Sequence, residues 1–375
     1  MSVLPDTTLW GRRCEQAVAP GLTVGHEPVG IIEKLGKPIN LRCGAVHIGV
    51  SIGIACAPID GTEPDQLMRN ADLALYRAKT DGRNRYRFFD SSLDAAARRR
   101  NLIEQELALA IAEESLSINY QPLVDAQTRS VVCAEALIRW NHPTLGSISP
   151  GEFIPIAEET GLIGKLGMQV LDRSCAMVAR LRKQGHDFAC SVNLSLRQFV
   201  EYDLVEDVPR VVFAHGLPAS AIRLEITESL VAHSEASLVQ AMNELHKMGF
   251  EFLLDDFGTG QSSLYRLQTL PFQTIKIDRS FVVPLERGDE VMVRTVKGLA
   301  QKLKLKVVAE EVETQTQLDT LLALGVHRIQ GFVIARPMSD TALLHWLTTT
   351  PYSSHNSAHH EPPAAAHISK GGLRH

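Results

Sequence analysis

Between Ser117 and about Thr350, eight short β-forming runs alternate with longer helical stretches, and this rhythm limits the fold more than any other feature of the chain. The runs are Ile118–Leu123, Val131–Trp140, Phe188–Leu194, Ile222–Thr227, Phe252–Asp255, Thr274–Asp278, Lys306–Glu310 and Arg328–Val333. Several are continuously apolar, as expected of parallel strands covered on both faces. Eight strand–helix units in a segment of this length predict an α/β fold, a TIM-barrel-like (β/α)₈ domain.

The chain ahead of this region reads differently. Val46 to Ala55 alternates β-formers with small residues, Pro64 to Lys79 repeats Leu67, Ala71, Ala74, Leu75 and Ala78 at helical spacing, and Gly82 supplies a stop. Arg85 to Phe89 reads as one more short strand. Residues 29–90 therefore make a partial α+β domain with too few strands for an independent sheet. Residues 1–28 remain unassigned. Ser91 to Glu114 lacks Gly and Pro and predicts a helix, with 91–103 joining the two domains; Arg98-Arg99-Arg100 reads as its solvated face. The segment 351–375, rich in His, Ser, Ala and Pro, is expected to be disordered.

A net charge of −5 gives no electrostatic reason to expect a nucleic-acid polymer or an anionic membrane as partner. The six cysteines form no CxxC pair, which suits reduced thiols. No apolar run approaches the roughly 18–20 residues of a membrane helix, and no signal-peptide core opens the chain. A soluble, cytoplasmic protein is expected.

Catalytic groups in such barrels project from the C-terminal strand ends. Those ends carry Glu135, Asn193, Glu225, Asp255 with Asp256, Lys276, Glu310 and Gln330. Carboxylates converging on one mouth would repel one another without cations, and hard oxygen ligands suit Mg²⁺ or Mn²⁺. Singly, each residue has a plainer explanation: a surface acid paired to an arginine, a turn at Asp255-Asp256, a helix cap at Asn193. Recurrence at successive strand ends weakens that explanation for the set.

The series Tyr120-Gln121-Pro122, Glu135-Ala136-Leu137 with Arg139-Trp140, Phe153-Ile154-Pro155 and Val192-Asn193-Leu194-Ser195 resembles the EAL-domain phosphodiesterases. Glu225-Ile226-Thr227-Glu228-Ser229, Asp255-Asp256-Phe257-Gly258-Thr259-Gly260, Lys276-Ile277-Asp278-Arg279-Ser280-Phe281, Ala309-Glu310, Val312-Glu313-Thr314 and Gln330-Gly331 extend the resemblance over residues 104–348. It implies cleavage of cyclic di-GMP to linear pGpG with two Mg²⁺ or Mn²⁺ ions per active site, and a homodimer formed through this domain. By resemblance, Glu135, Asn193, Glu225 and Asp255 hold one ion, and Asp255, Asp256 and Glu310 the second. Glu310 is similar to the general base and Lys276 to the residue that positions the attacking water. Gln121, Leu137, Arg139 and Gln330 match substrate-contacting positions, and Glu228, Asp278 and Glu313 match residues that anchor loops. A catalytically silent receptor for the same nucleotide is the alternative.

Two departures stand out. Glu311 occupies a position where the family usually has Gly, and Gln261 one where Tyr is common. Residues Val29 to Phe89 resemble the second half of a GGDEF (diguanylate cyclase) domain through Val50 to Ala55, Ala71 to Tyr76, Ala78-Lys79 and Gly82-Arg83-Asn84. The GGDEF hairpin and the opening metal-binding Asp are missing from the match, so cyclase activity is not expected.

Overall fold

The computed structural model describes residues 39–41, 44–46, 50–228, 236–258 and 264–352. The expectations for residues 1–28, Ser229, Thr259-Gly260, Gln261 and the 353–375 tail lie outside the described residues. The chain divides into two compact units between Glu106 and Leu107.

In the first unit, β1 (Ile39–Leu41) and β2 (Gly44–Val46) form an antiparallel pair. β3 (Ile52–Ile54) pairs in parallel with β4 (Tyr86–Phe88) across α1 (Pro64–Thr80). Pro64 starts α1 because a proline ring presets helical φ where no N–H partner is needed. Ala74 and Ala78 are fully buried on its inner face. The predicted linker helix is α2 (Ser91–Ala112), which runs across the division between the units.

The second unit is a closed eight-stranded barrel built from the eight runs the sequence marks. Its strands are β5 (Ser117–Asp125), β6 (Ser130–His142), β8 (Cys190–Asn193), β9 (Ile222–Thr227), β10 (Glu251–Phe257), β11 (Phe272–Ile277), β12 (Lys306–Ala309) and β13 (Arg328–Gln330). A short strand, β7 (Gly146–Ile148), extends β6 as a hairpin beyond the barrel. The helices are α3 (Pro150–Glu159), α4 (Ile163–Lys183), α5 (Leu196–Glu201), α6 (Leu204–Ala214), α7 (Ala236–Lys247), α8 (Leu264–Thr269), α9 (Arg279–Val282), α10 (Val291–Leu303), α11 (Gln315–Ala323) and α12 (Asp340–Thr349).

The barrel departs from the expected all-parallel pattern at β5, which runs antiparallel to both β6 and β13. The cause is local. Only residues 126–129 link β5 to β6, and a parallel crossover needs a dozen or more. Asp125 shapes this turn by accepting from the N–H groups of Gln127 (3.1 Å) and Thr128 (2.9 Å).

Strand register sorts the side chains. Leu224, Ile226, Phe252, Leu254, Ile275 and Ile277 are fully buried in the main core, where the helices cover the barrel. The opposite parity faces the lumen: Gln121 pairs with Glu135, Asn193 with Glu225, and Lys276 with Val308. A small cluster of Leu123, Cys133, Ala189 and Val308 fills part of that lumen. The polar residues therefore stand above an apolar plug, on the same strand faces.

Candidate active site

Lys276 is the centre of the site. Its side chain is fully buried, and its ammonium lies 2.6 Å from Glu225 Oε2, 2.6 Å from Glu310 Oε1, 3.2 Å from Glu135 Oε2 and 3.4 Å from Asp255 Oδ1. Five sequence-predicted residues thus meet at one point. Glu135 reaches it from the middle of β6, because that strand continues past the barrel into the β7 hairpin. The lysine sits beneath the carboxylates rather than out at the mouth.

A ring of amides orients Glu135. Asn193 Nδ2 donates to Glu135 Oε1 at 2.9 Å, and Gln330 Nε2 donates to Glu135 Oε2 at 2.7 Å and to Gln121 Oε1 at 3.3 Å. Gln121 in turn donates to the Ala335 carbonyl at 3.2 Å. Asn193 is not the helix cap; Ser195 caps α5. Leu137 and Arg139 follow Glu135 at two-residue spacing on β6, both half-buried. Arg139 Nη1 donates to the Ile138 carbonyl at 2.8 Å.

Two turns complete the mouth. Near the end of β10, Asp256 adopts φ 54, a left-handed conformation that costs about 1–2 kcal/mol for a residue with Cβ. Its N–H donates to Asp255 Oδ1 at 2.9 Å, and the Gly258 N–H donates to the buried Glu228 Oε2 at 2.6 Å. A Cβ on Gly258 would collide with the Phe281 ring. After β12, Glu311 takes φ 47, so the strand has already turned, and that geometry is why a Gly suits the position. Glu311 points away to Arg279 Nη1 (3.2 Å), which also approaches Glu313 Oε1 at 3.4 Å. Asp278 caps α9 through the Ser280 N–H at 2.9 Å. The Arg279 bridge escapes a motif-based reading; its one sequence signal is the Glu at 311.

One ammonium facing four carboxylates leaves an excess of negative charge in a dry site. Burial pushes Glu225 up to about 8, with Glu135 adding to it and Lys276 opposing. Burial likewise raises Glu310 well above the ordinary carboxylate range, against the pull of Lys276. Asp256 rises to about 6 through burial and the neighbouring Asp255. Burial would raise Asp255 too, but Lys276 and a hydrogen bond from Glu310 outweigh it and hold this carboxyl below its ordinary value. For Lys276, burial favours the neutral amine, yet Asp255, Glu135, Glu225 and Glu310 together hold it charged.

This chemistry fits a divalent cation. Glu135, Glu225 and Asp255 each offer an oxygen, all within 4.8 Å of one another. Glu225 Oε1 is buried without a hydrogen-bond partner among the described residues, a costly state for a carboxylate oxygen unless a cation faces it.

Comparison with known families agrees with this geometry. The EAL domain model matches residues 104–337, and the chain belongs to the EAL-domain family. The diguanylate cyclase GGDEF domain model matches residues 29–85. A Pseudomonas aeruginosa protein named bifunctional diguanylate cyclase/cyclic di-GMP phosphodiesterase MucR is 41% identical over 318 residues, 84% of this chain and 46% of that protein. Cyclic di-GMP phosphodiesterase NbdA of the same organism is 35% identical over 355 residues, 92% of this chain and 45% of that protein. The solved structure of PaMucR phosphodiesterase in complex with c-di-GMP superposes with a TM-score of 0.62 at 39% identity, covering 64% of this chain and 99% of that one. The chain spans less than half the length of these full-length relatives. Among the described residues, no helix is long and apolar enough to cross a membrane.

Proposed function

We propose that this chain hydrolyses cyclic di-GMP to linear pGpG with two Mg²⁺ or Mn²⁺ ions. The observation that carries the reading is the carboxylate cage around Lys276, with its unpartnered Glu225 oxygen, in a family whose relatives include cyclic di-GMP phosphodiesterases. Glu135, Asn193, Glu225 and Asp255 would hold one ion, and Asp255, Asp256 and Glu310 the second. When bound, such ions supply Lewis-acid charge to the phosphodiester and acidify water.

The chain's own groups do the rest. Arg139, half-exposed beside the cage, presents a guanidinium fork suited to a phosphate, while Gln121, Leu137 and Gln330 would contact the rest of the nucleotide. Glu310 would take a proton from the attacking water as the P–O3′ bond breaks, and the departing O3′ would take one from solvent. Its proton is held by burial and its acidic neighbours, so added positive charge in the cage favours the carboxylate form the step needs. Glu228, Asp278 and Glu313 fix the turns that carry these groups. A homodimer through the barrel domain belongs to the same reading, and light scattering tests it separately.

The test is a product assay with purified protein, cyclic di-GMP and Mn²⁺, read by chromatography. We expect pGpG from the wild type and a loss of at least about 100-fold for Glu135→Ala, which removes the carboxylate shared by Lys276, Asn193 and Gln330. Tight nucleotide binding with no pGpG would replace this reading by that of a silent receptor.

A further inference from the structure

In the turn that delivers Glu310, the next residue, Glu311, is a non-glycine at φ 47. A residue with a Cβ in this region carries a local cost of about 1–2 kcal/mol that its surroundings can offset. One side of the turn is fastened to the end of β13 and the segment after it: the Val312 N–H donates to the Gln330 carbonyl at 3.1 Å, and the Val333 N–H to the Val312 carbonyl at 3.0 Å. The Glu310 N–H donates to the Ile277 carbonyl at 3.1 Å. The outer side is held by Arg279, through Glu311 Oε2 at 3.2 Å and Glu313 Oε1 at 3.4 Å.

Arg279 opens α9, the four-residue helix that follows the Lys276 strand. Two residues further on, Phe281 packs so closely on Gly258 that no side chain fits there. One short helix therefore touches both turns that bring acids to Lys276: the Asp255 to Gly258 turn through Phe281, and the Glu310 to Glu313 turn through Arg279.

We propose that Arg279 is a positioning residue: by clasping Glu311 and Glu313 it stabilises the left-handed turn that aims Glu310 into the cage, and so sets the affinity for divalent cations. The effect on turnover rests on the phosphodiesterase reading; the effect on cation binding does not. A glycine at this position would enter the same region without strain, so the clasp matters because this chain carries Glu there. The guanidinium is 50% exposed and the Glu311 carboxylate 58% exposed, so the pair is modest in strength and screened by salt. Arg279 tunes the site and does not switch it.

The test is calorimetric titration of the full chain with Mn²⁺ in low salt, without nucleotide, on the wild type, Arg279→Ala, Glu311→Gly and the double variant. Arg279→Ala should weaken Mn²⁺ binding about threefold to fivefold, the reach of an exposed ion pair. Glu311→Gly should bind as the wild type does. In the Glu311→Gly background, removing Arg279 should cost less than about twofold, since the strain it offsets is gone. Arg279→Gln, which keeps the stem and loses the charge, should match Arg279→Ala and replaces it if that variant misfolds. The same ratios should appear in kcat, with KM for cyclic di-GMP unchanged. Equal losses in both backgrounds, or no loss from Arg279→Ala, would overturn the proposal. A wild type that binds Mn²⁺ yet makes no pGpG would instead overturn the phosphodiesterase reading and leave this measurement readable.

Discussion

Lys276 carries more of this site than its single charge suggests. A lysine is seldom fully buried, because desolvation favours the neutral amine; here four carboxylates within 3.4 Å reverse that preference. Among the described residues, the ammonium is the only side-chain counter-charge in contact with all four acids. Lys276→Met keeps the volume and removes that charge. Because protonation of Glu225 and Glu310 absorbs part of the repulsion, we expect a loss of about 3 kcal/mol, at the low end for breaking a buried ion pair. Urea unfolding with chelator and with excess Mn²⁺ checks it. The loss should shrink when Mn²⁺ is present, since added cations meet the same carboxylates. A variant as stable as the wild type in chelator would show that the acids need no counter-charge. Most of these residues were legible in the sequence, because they follow a recognisable order and all but Glu135, in the middle of β6, stand at or near a strand end. The contacts among them were not: four acids could have met a cation, an arginine or water, and only the register decides that they meet one lysine.

At the scale of elements, the site depends on how tightly the β12 and β13 turns fit together. Gly331 follows Gln330 at φ 157, and a Cβ there would overlap the backbone of Val312. That close approach lets Val312 exchange hydrogen bonds with Gln330 and Val333, which fixes the turn behind Glu310. Gly331→Ala should therefore cost about 1–3 kcal/mol as a local overpacking, visible in urea unfolding, and should lower kcat much more than it raises KM. A Gly331→Ala variant that turns over as the wild type does would mean that the Glu310 turn tolerates displacement. Motif order pointed to Gln330 and Glu310 separately, and the need for a glycine between their strands follows only from three-dimensional contact. The antiparallel β5 has a similar history. Its run and its neighbour's were plain in the sequence, and the four-residue connection was visible too. The parallel pattern of the other strands dominated the expectation, although so short a link permits only a hairpin.

For the whole molecule, the outward apolar positions of eight strands were enough to specify the barrel, while the lumen carries the electrostatic strain. That strain gives the cation-free protein a definite pH dependence. Glu225 is raised from 4.5 to about 8, Asp256 from 3.8 to about 6, and Glu310 is also raised. Between about pH 4.5 and 8 the folded protein keeps protons that the unfolded chain has released, so the unfolded state binds fewer protons and stability falls as pH rises. Asp255, lowered from 3.8, acts in the opposite sense but has reached its full contribution by the start of this window. Lys276, raised above 10.5, contributes fully throughout it. The melting temperature in chelator should therefore decline by several degrees from pH 5 to 8, at roughly 2–4 °C per kcal/mol for a domain of this size. Glu225→Gln, which cannot ionise, should flatten much of that slope. Excess Mn²⁺ should flatten it in the wild type, because a cation facing the cage favours the ionised carboxylates that protons otherwise neutralise. Parallel curves for wild type and Glu225→Gln across this range would show that the cage ionises without strain, and the electrostatic case for a divalent cation at Glu225 would fall with it.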